Sequence, residues 1–199
     1  MSPPRTFLLS PAHCGGKRAA QLLRDGAGSE LARRLRSADG APLGEVFRFI
    51  SALYFRGKLA YARAFGDGDD AVLVITPTRG LLPVETRVGI AEIREFAAGD
   101  IDPADPRYRE PLENGVSRLA ESGTEVVLLG SIASGKYVDV LVAILGERLL
   151  FPIDFVGRGD MSRGGLLLRS AQDRHELAYR PVAGAVRRGQ RTPKLAPRR

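Results

Sequence analysis

Residues Glu125–Leu145 read EVVLLGSIASGKYVDVLVAIL, and the first five of them decide the fold class. Val126, Val127, Leu128 and Leu129 are apolar without interruption, the mark of a strand buried on both faces; a strand with one wet face would alternate. A Gly/Ser loop follows, and Gly135 to Leu145 is then a mostly apolar helix. Strand, loop and helix in that order form the repeating unit of a parallel α/β sheet.

Working outward, three more segments behave in the same way. Arg5–Ser10 (RTFLLS) is a short apolar run stopped by Pro11 and the Gly15-Gly16 pair. Ala71–Thr76 (AVLVIT) is β-branched and ends at Pro77, with Gly80 and Pro83 close behind. Arg148–Phe151 (RLLF) is the fourth strand. Helices are expected over Lys17–Arg36, with breaks at Gly26 and Gly28, and over Gly44–Phe65, where Val46, Phe47, Ile50, Leu53, Tyr54 and Tyr61 recur at three- and four-residue spacing. Residues 97–111, with three prolines, read as a surface excursion before a helix of Leu112, Val116 and Leu119. A last helix runs through Leu168. The expectation is an α/β chain folded as a single three-layer αβα domain over residues 1–183, built on a short, mainly parallel four-stranded sheet. Residues 184–199 would form a basic, disordered tail.

The 199 residues and 44% hydrophobic content suit one core. A lone Cys14 and two histidines, His13 and His175, give neither a disulfide framework nor a zinc cluster, so no metal or other cofactor is expected and the compartment reads as cytoplasm. The amino terminus lacks a signal-peptide pattern, and no run approaches the length of a membrane span. A monomer without a membrane partner is expected. The net charge of +7 is uneven: residues 1–63 carry eleven Lys/Arg and four Asp/Glu, residues 64–183 thirteen and nineteen, and residues 184–199 six and none. Basic segments flanking an acidic middle suit a polyanion, because covering phosphates releases counterions.

Ligands of open α/β sheets bind outside the carboxyl ends of the strands. Four loops are placed there, and each is rich in Gly, Ser, Thr or Arg: Ser10–Arg18, Thr76–Thr86, Gly130–Tyr137 and Phe155–Gly165. The third matches the P-loop spacing through Gly130, Gly135 and Lys136, yet Tyr137 stands where a nucleoside-triphosphate site needs a Ser or Thr for magnesium. Ser131, Ser134 and Lys136 are therefore read as contacts for a nucleic-acid phosphate or base. In the fourth loop Arg158, Asp160, Ser162 and Arg163 lie among four glycines, with Ser162 placed to cap the next helix.

Taken together, LLSPAHCGGKR (Leu8–Arg18), SALYFRGKLAYARAF (Ser51–Phe65), VLVITPTRGLLPVE (Val72–Glu85) and VVLLGSIASGKYVDVL (Val126–Leu141) resemble the uracil-DNA-glycosylase-like superfamily. The branch is the one that includes a domain of archaeosine synthase, where a comparable strand leads into a Gly-Leu-Val-Pro and a glutamate, here Gly80, Leu81, Leu82, Pro83 and Glu85. The resemblance implies a DNA glycosylase that leaves an abasic site. The loop after the first strand holds Ser10, His13 and Cys14 in place of the Asp or Asn of uracil-specific enzymes, and the last loop has Arg158 and Asp160 in place of their histidine. A modified base in double- or single-stranded DNA is accordingly expected rather than uracil, a specificity known in the superfamily from anti-phage glycosylases. Breaking an N-glycosidic bond needs a carboxylate beside the sugar and donors beside the departing base. Asp160 and Glu85 are the expected carboxylates, Arg79, Arg158, Arg163 and Lys136 the cations for base or phosphate, and Tyr137 or Phe155 the platform for an extruded base. Two other readings fit the same residues: a non-catalytic nucleic-acid-binding module, and a nucleoside hydrolase or deoxyribosyltransferase.

Overall fold

Runs of residues with no exposed surface mark the strands at once: Phe7, Leu8 and Leu9, then Val126 to Leu129, are wholly buried. The computed structural model describes residues 5–68, 71–193 and 195. In chain order the elements are β1 (Arg5–Leu9), α1 (Lys17–Leu23), α2 (Glu30–Arg36), β2 (Ala41–Pro42), α3 (Leu43–Phe65), β3 (Val72–Thr76), β4 (Gly80–Pro83) and β5 (Arg87–Val88). Then come α4 (Ile90–Ala98), α5 (Pro106–Glu121), β6 (Glu125–Leu129), α6 (Gly135–Leu145), β7 (Leu149–Pro152), α7 (Asp160–Asp173) and β8 (Tyr179–Pro181).

The main sheet has six strands, not four, in the order β4-β3-β1-β6-β7-β8. The four strands read from the sequence are its parallel centre: β1 pairs with β3 (Phe7 opposite Val72) and with β6 (Leu9 opposite Leu129), and β6 pairs with β7. The other two are antiparallel edges. β4 folds back on β3, with Gly80 opposite Thr76, and β8 folds back on β7, with Phe151 opposite Arg180. Pro83 and Pro181 sit at their ends, and proline is tolerated in a sheet chiefly at its edge. β2 and β5 form a separate two-stranded ribbon.

From β1 the chain crosses to β3 on one side, then returns past β1 to β6 and β7 on the other. That reversal lies between β1 and β6, and the crevice beyond the carboxyl ends of such a pair is where open α/β sheets bind ligands. Ser10 follows β1 and Gly130 follows β6, side by side.

The 17–36 segment breaks where the sequence places the break, into α1 ending at Leu23 and α2 beginning at Glu30 with Ser29 as its cap, with Gly26 at φ 74° between them. Other helix boundaries differ from the sequence expectation. α5 begins at Pro106 and carries Pro111 inside it, so the excursion is confined to residues 99–105. α7 begins at Asp160, which turns Gly164 and Gly165 from loop into helix. α3 spans the predicted 44–65 but is broken at Ala52 (φ 47°, ψ −122°), a conformation costly for a residue with a Cβ. α7 packs along α3 through paired glycines: a Cβ on Gly57 would lie 2.4 Å from the Gly164 carbonyl oxygen, and one on Gly164 would lie 2.8 Å from Tyr54 Cα. Backbone therefore meets backbone immediately after the Ala52 break. From Gly184 onward the described residues form neither helix nor strand. Thr192 N–H donates to the Gly157 carbonyl (3.1 Å), and Arg187 pairs with Asp139.

Candidate functional site

A cavity of about 290 Å³ opens at the reversal point. The loop after β1 supplies Ser10, Pro11 and His13, α3 supplies Ser51 and Tyr54, the β6–α6 loop supplies Ser131 and Ser134, α6 supplies Tyr137, and α7 supplies Asp160. Its wall is rich in hydroxyls, with one carboxylate at the rim. Gly130 makes it possible: a Cβ there would lie 2.8 Å from Ser10 Cβ and 3.1 Å from Tyr137 Oη. Tyr137 donates to the Ser131 carbonyl (3.0 Å), and burial pushes its phenol up to about 12, so it enters chemistry as a neutral hydroxyl. Tyr54 is buried, its phenol is held above the ordinary value by desolvation, and its hydroxyl closes no hydrogen bond of normal geometry, the Arg163 guanidinium being a polar neighbour. An uncompensated buried hydroxyl facing a cavity marks a place for a ligand atom.

Behind this wall stands Lys58, only 1% exposed. Its Nζ donates to the Ser10 carbonyl (2.6 Å) and to Ser10 Oγ (2.9 Å) and lies 4.5 Å and 4.8 Å from the centres of the Tyr54 and Phe55 rings. Desolvation lowers its ammonium to about 7, against a smaller opposing pull from the charge of Asp160.

Asp160 is the first residue of α7, where the helix dipole favours a carboxylate, and its side chain is 67% exposed. Arg163, one turn on, donates to Asp160 Oδ1 (3.2 Å) while giving two further bonds to the Phe155 carbonyl (both 3.2 Å). Arg158, two residues before Asp160, bonds the Asp154 carbonyl and Ser162 Oγ. Ser162 does not cap α7 either, since Gly159 occupies that position. Arg158, Asp160, Ser162, Arg169, Arg191 and Thr192 are among the walls of a second, larger cavity of about 530 Å³. Asp160 thus lines both cavities.

The remaining expected site residues lie elsewhere. Glu85 is at the opposite end of the sheet: β4 runs back from Gly80 beside Thr76 to Pro83 beside Leu73, and Val84 N–H bonds the Val72 carbonyl at the start of β3. There Glu85 pairs with Arg63. Arg79, in the β3–β4 turn, is held by Glu95 (2.6 Å) and Glu92 (3.6 Å). Phe155 has no exposed surface, so it offers no face to a base; Tyr137 and Tyr54 are the aromatics at the cavity. Cys14 points away into the core, its thiol raised to about 12 by burial and bonded to the Ala12 carbonyl. Lys136 is exposed on the first turn of α6, where Ser134 caps the helix by accepting from Lys136 N–H.

Lys58, Tyr54 and Ser51 were not anticipated as site residues. A signal was present: Lys58 falls four residues after Tyr54 and three before Tyr61, on the apolar stripe of α3, and a charge on a buried stripe needs a reason. No group of His, Cys, Asp and Glu suited to a metal occurs among the described residues, and no helix among them is long and apolar enough to cross a membrane. Comparisons with protein-family models, with curated proteins and with solved structures gave no match to this chain.

Proposed function

We propose that this protein is an N-glycosidase that removes a modified base from DNA and leaves an abasic site, and that its fold is a three-layer αβα arrangement of the uracil-DNA-glycosylase-like kind. The position of Asp160 carries the reading. It is shared by two cavities of different character, one walled by hydroxyls and aromatic edges, the other bordered by Arg158, Arg169 and Arg191. An extruded nucleotide has the same three parts in the same order: a planar polar base, a sugar and a phosphate. With the base in the hydroxyl-lined cavity and the flanking phosphate among the arginines, the sugar falls at the carboxylate.

The chemistry follows from that placement. As the C1′–N bond lengthens, positive charge grows on the sugar and negative charge on the base. Asp160 offsets the first and accepts the proton of the attacking water, its carboxylate held at the start of α7 by Arg163. Ser10, Ser131, Ser134 and Tyr54 supply donors for the second. Lys58 is walled off behind Ser10 and Tyr54, which argues for direct hydrolysis rather than a Schiff base with the sugar. The test is incubation of the protein with DNAs bearing a range of modified bases, followed by mass spectrometry for released base and alkaline cleavage for abasic sites. Release from DNA supports the reading. Turnover of free nucleosides alone, or no release from any DNA, overturns it.

A further inference from the structure

A lysine buried without a carboxylate against it is costly, and anchoring α3 to β1 would need no charge there. Lys58 spends two of its donors on one residue, Ser10, taking both its carbonyl and its hydroxyl oxygen. A hydroxyl that accepts from an ammonium keeps its own proton to give elsewhere. Ser10 Oγ is at the wall of the hydroxyl-lined cavity, beside Tyr137 Oη, whose own proton is committed to the Ser131 carbonyl; Tyr137 Oη is thus the acceptor that faces the Ser10 proton, and a base entering the cavity takes its place.

We propose that Lys58 and Ser10 form a proton-delivering pair in which Ser10 donates its hydroxyl proton to the base departing through the cavity and Lys58 replaces it. This rests on the N-glycosidase reading and defines the substrate class further: a heterocycle that leaves as an anion with an oxygen or ring-nitrogen acceptor turned toward Ser10. The step balances. The C1′–N electron pair goes to the base; the Ser10 proton neutralises it; a Lys58 N–H proton restores the serine. Water adds to C1′ and its proton goes to Asp160 and then to solvent; after the base leaves, water entering the cavity reprotonates Lys58 through Ser10. Ser10 touches the leaving group; Lys58 is a positioning and supply residue acting through it.

The groups that face Lys58 limit what else could produce its pH signature. Tyr54 lies on its own helix, Tyr137 comes from α6, Asp160 and Arg163 from α7, and His13 from the loop after β1. Both phenols stay neutral through the physiological range because burial raises them. His13 is exposed at the cavity mouth, so His13→Gln is run as a comparison.

The experiment measures binding of free uracil, 5-hydroxymethyluracil and hypoxanthine to the full chain by calorimetry between pH 6 and 9, in buffers of different ionisation enthalpy. At least one base binds the wild type with proton uptake that follows the ionisation of Lys58. Lys58→Met and Ser10→Ala each abolish the uptake and weaken binding about ten- to a hundredfold, the worth of a hydrogen bond to a charged partner. His13→Gln retains the uptake. Ser10→Ala leaves the lysine in place, so its result stands even if Lys58→Met folds poorly. With four lysines in the chain, lysine-selective labelling reads the Lys58 ionisation directly by NMR. Binding of none of the three bases, an unchanged proton uptake in Ser10→Ala, or borohydride trapping of Lys58 on DNA overturns the proposal. Base release from DNA with unchanged uptake in both variants rejects the pair and keeps the glycosidase. Uptake through Lys58 with no release from any DNA rejects the glycosidase, and proton delivery to a departing base falls with it.

Discussion

Asp160 and Arg163 are one helical turn apart at the start of α7, and the guanidinium that reaches the carboxylate (3.2 Å) is itself fixed by the Phe155 carbonyl beneath it. The carboxylate is exposed and the guanidinium buried, at 67% and 10% side-chain exposure. A rigid cation thus orients an otherwise free acid at the boundary of two cavities.

Asp160→Asn keeps the shape of the side chain and removes its charge. Base excision should fall at least ~100-fold with DNA binding retained, as single-turnover release and an equilibrium binding assay would read. Glu85→Gln, at the other end of the sheet beside Arg63, should excise at close to the wild-type rate. The opposite pattern would move the chemistry to the β4–β5 connection.

Arg163→Ala takes two donors from the Phe155 carbonyl, which keeps the Arg158 N–H (3.2 Å), and takes from Asp160 its partner. A loss of about 1.5 to 3 kcal/mol in urea unfolding is expected, because the hydrogen bonds of a buried charged group are removed. Arg158→Ala, whose guanidinium holds an exposed loop, should cost under about 1 kcal/mol. Equal effects would mean that Arg163 has no special structural role.

Gly164→Ala places a Cβ 2.8 Å from Tyr54 Cα and 2.9 Å from the Leu53 carbonyl oxygen, which only a separation of α3 and α7 can relieve. The expected cost is about 1 to 3 kcal/mol, with loss of excision beyond what stability explains, since the two helices carry Tyr54 and Asp160. Unfolding curves and excision rates on the same samples check it.

Stability should depend on pH through Lys58 in a definite direction. Its folded value is lowered to about 7 from an ordinary 10.5, so between those values the unfolded chain binds more protons than the folded one and stability rises with pH. The wild type should gain on Lys58→Met by up to about 1.4 kcal/mol per pH unit above pH 7. Cys14 acts oppositely: its folded thiol is raised from 9.0 to about 12, so its contribution is complete below pH 9 and is lost as pH climbs toward 12. Denaturation between pH 7 and 9 isolates the lysine, and a flat difference there would show that Lys58 is not titrating in the fold.

DNA affinity should fall steeply with salt. Arg158→Ala and Arg191→Ala, on the arginine-bordered cavity, should each reduce the slope of log affinity against log salt by about 0.9 on duplex DNA if each covers one phosphate. Slopes equal to wild type would remove the phosphate from that cavity.

The sequence alone determined the parallel centre of the sheet. Unbroken apolar runs such as Val126–Leu129 have one stable solution, burial on both faces, and the glycine and proline after each run mark the carboxyl ends where Ser10, Ser131 and Asp160 gather. Periodicity is a property read along the chain, and it is strong where each residue's surroundings repeat. Tertiary structure alone decided the rest. Gly80–Pro83 and Tyr179–Pro181 became strands because β3 and β7 had an open edge to pair, a condition invisible in those short proline-ended segments. That same pairing carried Glu85 to the far end of the sheet and left Asp160 as the carboxylate at the cavity. Lys58 lay on a stripe that its neighbours mark as core, and its meaning depended on Ser10, 48 residues away, arriving within hydrogen-bond reach. The close approach of α3 and α7 at Gly57 and Gly164 sets the other wall. Contacts of such sequence separation are fixed by the crossing of strands and the meeting of backbones, and no local pattern of apolar and polar residues encodes them.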